Sequence, residues 1–326
     1  MNKEPLVSII IPTYNRAKLL PRTINSVLKQ NYKNWELIVI DDRSTDNTKE
    51  LIEGYSKKDS RIKYVLNYHK KGPGGARNCG IENAKGKYIA FLDSDDEWFK
   101  HHLKDCVDVL EDNNVKVCAP LWYDRRDNKL IRRSENHIKE AIKALNPIKK
   151  GDLYIFDKRL GEYIAKGGYS CGNMDTIVFR RDLLKKKGGF NESLRIAEDS
   201  EFVFRLILDN DFCWINKFHA VYNEGSDNLV AYDTKSIAKN YYWANQHVKY
   251  LKIKKRVIKN SNIKDKKSCF THIAKSISEK QFEKGYLYRK TKRFKSLMNY
   301  LKAMYYNYDP IQIKAIKKLF KPGYYK

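Results

Sequence analysis

Apolar residues near the start of the chain fall into two alternating patterns. Leu6–Ile11, Trp35–Ile40, Ile62–Leu66 and Lys87–Leu92 are short apolar runs of strand length. Between them the spacing changes. Leu20, Ile24, Val27 and Leu28 fall at i, i+4, i+7 and i+8, one face of a helix. Ser44 or Thr45, followed by Asp46 and Asn47, opens a second helix leading to Leu51 and Ile52. Strands alternating with helices predict a parallel sheet covered on both faces.

The pattern is less regular over 97–230. Glu97–Leu110 reads as a helix and Val115–Leu121 as a strand, but no periodicity assigns the polar stretch 122–165. Met174–Phe179 reads as a strand. Ala197–Leu208 reads as a helix with Phe202, Val203, Leu206 and Ile207 on one side. Near the end, Phe294, Leu297, Met298, Leu301, Met304 and Tyr305 keep helical spacing among Lys292, Arg293, Lys295 and Lys302. Ile313, Ile316, Leu319 and Phe320 continue in the same way.

Charge divides the chain where the pattern does not. The net charge is +26 over 326 residues, and residues 231–326 hold 25 Lys/Arg against five Asp/Glu. About +20 therefore sits in that segment, which predicts a boundary near residue 230 between a first domain over 1–230 and a basic helical extension over 231–326. A hydrophobic content of 42% supports a sizeable core. No run approaches the roughly 18–20 apolar residues of a membrane span, and Leu6–Ile11 is too short for a secretory signal. The six cysteines are scattered without a CxxC pair, so they read as free thiols in a reducing, cytoplasmic compartment.

In an open α/β sheet, ligands bind beyond the carboxyl ends of the strands. The polar residues following the first, second and fourth strands are Pro12-Thr13-Tyr14-Asn15-Arg16, Asp41-Asp42-Arg43-Ser44-Thr45-Asp46 and Asp93-Ser94-Asp95-Asp96. In an extended segment Asp93 and Asp95 point to the same side, and paired carboxylates suit Mn²⁺ or Mg²⁺. The alternative is an acidic turn with Asp96 capping the next helix. His101 and His102 read as surface or pocket-rim residues without a catalytic role.

The succession VSIIIPTYNR, WELIVIDDRSTDNT, GGARNCGIENAKGKYIAFLDSDDEW and, later, AEDSEF resembles the inverting family-2 glycosyltransferases of bacterial surface-glycan synthesis. The resemblance covers roughly the first 230 residues and implies a catalytic domain over 1–230, with 1–96 as its nucleotide-binding half and 97–230 as its acceptor half. It implies an α/β, GT-A fold: a Rossmann-like nucleotide-binding sheet flanked by helices, here with a mainly helical basic C-terminal extension. It further implies a nucleotide-sugar donor, with UDP first among the nucleotides, a Mn²⁺ or Mg²⁺ cofactor, and a glycan or lipid-linked glycan acceptor. By the same resemblance Pro12, Thr13 and Tyr14 line the base pocket, and Asp42 accepts hydrogen bonds from uracil or ribose. Arg77 lies near the phosphates, Asp93 faces ribose and metal, and Asp95 ligates the metal. Asp199 is implied as the general base with Glu198 beside it on the acceptor side. Asn173 precedes a strand adjoining this site, and Trp98 either stacks on a sugar or sits in the core. A third metal ligand stays open among Glu224, His219 and water, because Ala220–Ser226 contains no histidine.

Three uses are open to the basic segment: an anionic membrane surface, a homo-oligomer contact, or a solvated face. A nucleic-acid-binding protein on a degenerate nucleotide fold is the rival function, but ordered acidic clusters would repel phosphates. A P-loop GxxxxGK[ST] segment is missing. A glycosidase would use paired carboxylates without a nucleotide.

Overall fold

The computed structural model describes residues 4–132, 136–168, 173–223, 236–289 and 292–320. The chain divides into two compact units, Met1–Ile164 with Gly168–Ser226, and Ala165–Gly167 with Asp227–Lys326. In the first unit, β1 (Val7–Thr13), α1 (Leu20–Leu28), β2 (Trp35–Asp41), α2 (Thr48–Lys58), β3 (Ile62–Leu66), α3 (Pro73–Asn83) and β4 (Tyr88–Phe91) alternate. Next come β5 (Glu97–Trp98), α4 (His102–Asp112), β6 (Val117–Arg126), β7 (Lys129–Arg132), α5 (Asn136–Leu145), β8 (Ile148–Lys150), β9 (Leu153–Phe156) and α6 (Arg159–Ala165). A 3₁₀ turn (Met174–Thr176), β10 (Val178–Arg180), α7 (Leu183–Lys187), α8 (Glu198–Ile207) and β11 (Phe212–Asn223) complete it.

All these strands belong to one sheet, ordered β3-β2-β1-β4-β10-β6-β11-β9-β8, with β5 on β11 and β7 on β6. The β3-β2-β1-β4 half is parallel, with Thr13 beside Asp41 and Asp41 beside Leu66 in register. All seven residues of β2 are buried, as in a central strand covered on both faces. Leu20, Ile24 and Val27 of α1 join Val7, Ile9, Leu37 and Val39 in the core. On the other face α3 approaches so closely that a Cβ on Gly80 would stand 2.3 Å from Ile10 Cγ2. Chain order reverses between β1 and β4, so their carboxyl ends open a crevice.

Antiparallel β10 joins this half to β6 and β11, and thereby brings Asp175 beside the end of β4. The helix expected over Glu97–Leu110 begins only at His102, because Glu97–Trp98 pairs with β11 at Ala220 and Val221. The strand expected over Met174–Phe179 is a 3₁₀ turn followed by three residues of β10.

The second unit contains α9 (Ile237–Lys259), α10 (Lys266–Tyr288), α11 (Arg293–Tyr306) and α12 (Pro310–Leu319). α11 packs on α10 through a small and polar face. Ser296 Oγ donates to Gly285 O at 2.7 Å, and a Cβ on Gly285 would stand 2.5 Å from the Tyr300 ring. Ser278 Oγ reaches Ala303 O at 2.9 Å, and a capping box of Asp309 and Gln312 starts α12. The periodic apolar residues of α11 lie elsewhere: Phe294, Met298, Leu301 and Tyr305 are all exposed. No helix among the described residues is long and apolar enough to cross a membrane.

Candidate active site

The loops after β1 and β2 are stitched together. Asn15 N donates to Ser44 Oγ at 2.9 Å, Asn15 Oδ1 accepts from Thr45 N at 2.8 Å, and Arg16 N donates to Thr48 Oγ1 at 3.1 Å. Asp42 follows β2 and is buried; its carboxylate accepts from Asn67 Nδ2 at 2.5 Å and from Gly72 N at 2.8 Å. Gly72 has φ 133°, a conformation that glycine adopts without a Cβ penalty. Asp42 thus ties the loop after β3 to the start of α3, while each oxygen keeps lone-pair capacity for a ligand. Beside it Thr13 is buried with no partner for Oγ1 among the described residues, Pro12 is half-buried, and Tyr14 is exposed beneath Lys71 Nζ at 4.1 Å.

The acidic segment after β4 is a turn, not an extended strand: Asp96 N donates to Asp93 O at 3.1 Å. The carboxylates of Asp93, Asp96 and Asp175 converge, with oxygens within 4.8 Å of one another. Asp95 pairs with Arg16 Nη2 at 4.0 Å, while its carbonyl accepts from Arg22 and Asn223 side chains. Nor does Asp96 cap α4; its Oδ1 accepts Asn223 N at 2.6 Å, and no donor among the described residues reaches Oδ2. Burial pushes the Asp175 carboxyl up to about 8, and the nearby Asp93 charge adds to this. Asp96 is raised well above the usual range for the same reasons, with Asp175 the nearer charge. Two buried carboxyls side by side do not both ionise, so a proton is shared between them. Three convergent hard oxygens, one without a donor, fit a divalent Mg²⁺ or Mn²⁺.

Arg77, on α3, is 4% exposed. Its guanidinium donates to Asp93 Oδ1 at 2.8 Å and to Glu198 Oε1 at 3.0 Å. Burial opposes its charge, but Asp93, Glu198 and Asp199 outweigh burial and keep it protonated. A single positive charge balances only one of its two bonded carboxylates. Burial accordingly lifts Glu198 to about 7 although Arg77 pulls the other way. Ala197, immediately before this pair, has φ 62°. A left-handed backbone there costs a residue bearing Cβ on the order of 1 kcal/mol, and it opens α8 with Glu198, Asp199 and Glu201 in the first turn. Asp199 is half-buried and accepts Ser200 N at 2.6 Å.

Trp98 is a correction to the sugar-stacking expectation. It is 4% exposed, its indole N–H donates to Asp175 O, and its ring lies 4.2 Å from that of His102. No open face remains for a sugar. Asn173 starts the 3₁₀ turn, its carbonyl accepting from Thr176 N and Thr176 Oγ1, and so carries Asp175 into place. His219 is not among the acidic oxygens; its ring packs against His101 and His102. Glu224 and Gly172 lie outside the described residues. His102 is fully buried, not a rim residue. Sequence reasoning missed Asp175 as a site residue; the signal was a carboxylate at the head of the mainly apolar Met174–Phe179 run.

A parallel nucleotide-binding half-sheet, an acidic rim at its strand ends and a helix-borne acidic pair linked to it define the GT-A type of glycosyltransferase. The family described as "Glycosyl transferase family 2" matches residues 8–188, and the chain belongs to it. Over 299 residues it is 30% identical to a GalNAc(5)-diNAcBac-PP-undecaprenol beta-1,3-glucosyltransferase of Campylobacter jejuni, covering 90% of this chain and 88% of that one. Over 110 residues it is 48% identical to the Escherichia coli UDP-Glc:alpha-D-GlcNAc-diphosphoundecaprenol beta-1,3-glucosyltransferase WfgD, covering 34% and 43%. Among solved structures, S. aureus TarS 1-349 in complex with UDP-GlcNAc superposes with a TM-score of 0.66 at 20% identity, covering 96% and 82%. Mannosyltransferase PcManGT from Pyrobaculum calidifontis, with GDP-Man and Mn²⁺, gives 0.54 at 17%, covering 98% and 82%.

Proposed function

We propose that this glycosyltransferase moves a sugar from a UDP-linked donor to a hydroxyl of a polyprenyl-diphosphate-linked glycan, with inversion, at the cytoplasmic face of a membrane. The carrying observation is the Arg77 bridge, which joins the rim carboxylate Asp93 to the acidic pair Glu198-Asp199. Donor-side and acceptor-side groups are thereby held in one crevice. Relatives named as acting on undecaprenol-diphosphate sugars support the acceptor class. A UDP-GlcNAc complex of a structural neighbour supports the donor class.

In this reading Pro12, Thr13 and Tyr14 receive the base, and Asp42 accepts from uracil or ribose. Asp93 with Asp96 and Asp175 would hold Mn²⁺ or Mg²⁺, which when bound would supply Lewis-acid neutralisation of the diphosphate. Asp199, at the first turn of α8, takes the proton of the acceptor hydroxyl as its oxygen bonds to the anomeric carbon. The bond from that carbon to the diphosphate breaks in the same displacement, and the nucleoside diphosphate leaves with the electron pair. Holding both partners in line supplies much of the acceleration. Arg77 is a positioning residue, since its fork is already occupied by two carboxylates.

The test is thermal stability across UDP, GDP, CMP and ATP, each with and without Mn²⁺, followed by transfer assays with Asp199→Asn. Stabilisation by UDP that needs Mn²⁺, with donor binding kept and transfer lost in the variant, supports the reading. Donor binding lost together with transfer removes Asp199 from the role of base.

A further inference from the structure

On the other side of Trp98 from the acidic rim lies a second cluster, built from α4 and β11. His102 and Cys106 stand one helical turn apart at i and i+4, so their side chains share a face. Their nearest polar atoms, Nδ1 and Sγ, are 3.9 Å apart. His219, from the middle of β11, completes a group whose three donor atoms lie within 4.8 Å of one another. Asp105 Oδ2 stands 3.4 Å from His219 Nε2. His101 closes the group with its ring 4.5 Å from that of His219.

The anomaly is polar burial without partners. His102 and His219 are both 0% exposed, yet His102 Nε2 and His219 Nδ1 have no hydrogen-bond partner among the described residues, and His219 Nε2 meets Asp105 Oδ2 at 3.4 Å without hydrogen-bond geometry. A buried polar atom left unsatisfied costs about 1–3 kcal/mol. Burial pushes the His102 imidazole down to about 3, against the pull of Asp105, and lowers His219 similarly.

We propose that His102, Cys106 and His219, whose donor atoms converge within 4.8 Å, bind a structural Zn²⁺. A tetrahedral zinc with Zn–N of about 2.0 Å and Zn–S of about 2.3 Å sets neighbouring donors roughly 3.3–3.8 Å apart. The 3.9 Å between His102 Nδ1 and Cys106 Sγ needs only a small adjustment to match. The Cys106 thiol loses its proton to solvent on binding, and the thiolate offsets part of the 2+ charge. Neither carboxylates nor water dominate this donor set, which separates it from the hard-oxygen rim. Its consequence for the active site is mechanical. The His102 ring backs Trp98, and Trp98 holds the carbonyl of Asp175.

The experiment is metal analysis of the full chain purified from zinc-supplemented cells without chelator, alongside His102→Ala, Cys106→Ser and Asp93→Asn. About one zinc per chain in the wild type and in Asp93→Asn, falling to background in His102→Ala and Cys106→Ser, is the expected result. Zinc retained by both His102→Ala and Cys106→Ser but lost from Asp93→Asn places the ion on the acidic rim and overturns the proposal. So does a wild type that carries no zinc and whose melting temperature is unmoved by added ZnCl₂. Should the variants not fold, the cobalt-exchanged wild type decides. Intense four-coordinate bands with a thiolate charge-transfer band support the site, and a pale six-coordinate spectrum refutes it.

Discussion

Arg77 Nη1 and Glu198 Oε1 meet at 3.0 Å although 121 positions separate them in the chain. The same guanidinium holds Asp93, so the start of α8 is bonded to the end of β4 through one buried side chain.

Replacing Arg77 by Ala leaves Glu198 buried and without its cation, and breaking a buried pair in this way costs about 3–5 kcal/mol. Arg77→Lys keeps the charge but lacks the planar fork that reaches both carboxylates. We expect the lysine variant to melt only slightly below wild type while kcat falls on the order of 10²-fold, as for a small misplacement of reacting groups. A lysine variant with unchanged kcat would show that the bridge serves stability alone.

Glu198 links this contact to pH. Its carboxyl rises from 4.5 to about 7 on folding, chiefly by burial, with Arg77 opposing and Asp199 assisting. Because the folded value exceeds the unfolded one, the native state holds the extra proton. The associated stability is complete below pH about 4.5 and is lost as pH rises through about 7, an effect bounded by roughly 3 kcal/mol. Urea midpoints should therefore fall between about pH 5 and about pH 8, and Glu198→Gln should flatten the slope. Asp175, raised to about 8, contributes in the same direction and leaves a residual slope in the variant. An identical slope in wild type and Glu198→Gln would contradict the assignment.

The contrast between legible and hidden parts of this site is physical. The strand cores of β1, β2 and β4 announce themselves because fully buried strands read as continuous apolar runs. Polar residues at their carboxyl ends then mark Asp42 and Asp93. Past that point local pattern is incomplete. Alternation carried from β4 into the following residues points to Asp93 and Asp95, while the turn also brings Asp96 beside Asp93 and Asp175. Asp175 arrives from 82 positions away through β10, a relation that no local period contains. The stretch 122–165 escaped assignment because β7 and β8 are exposed along their whole length and so lack an apolar signature. His102 and Cys106 carry a ligand spacing, but His219 lies on a distant strand.

The turn after β4 yields a discriminating substitution. If Asp93, Asp96 and Asp175 hold the divalent ion, Asp175→Asn should abolish the Mn²⁺ dependence of UDP stabilisation. Asp95→Asn should weaken it less, since Asp95 faces Arg16. Calorimetric titration of Mn²⁺ into each variant with UDP present measures this. The reverse ranking would return Asp95 to the metal and make the Asp96–Asp175 pair purely structural.

α11 bears the last prediction. Phe294, Met298, Leu301 and Tyr305 recur at steps of four, three and four, and all are exposed, with Phe294 at 77% and Tyr305 at 85%. The face turned to α10 is instead Ser296, Asn299, Tyr300 and Ala303. Packing of the bundle therefore does not account for the apolar stripe. Lys292, Arg293, Lys295 and Lys302 flank it, a combination suited to anionic lipid, where apolar side chains enter the boundary and cations meet headgroups. We expect the chain to sediment with vesicles containing phosphatidylglycerol, to ignore pure phosphatidylcholine, and to be released by salt. Phe294→Ser with Leu301→Ser removes two apolar anchors worth about 1.5–3 kcal/mol each when fully buried, so partitioning should drop at least about tenfold with the fold intact. Unchanged vesicle binding would exclude the stripe from the membrane contact. A concentration-dependent dimer that the double variant dissolves would instead assign it to a second copy of the chain.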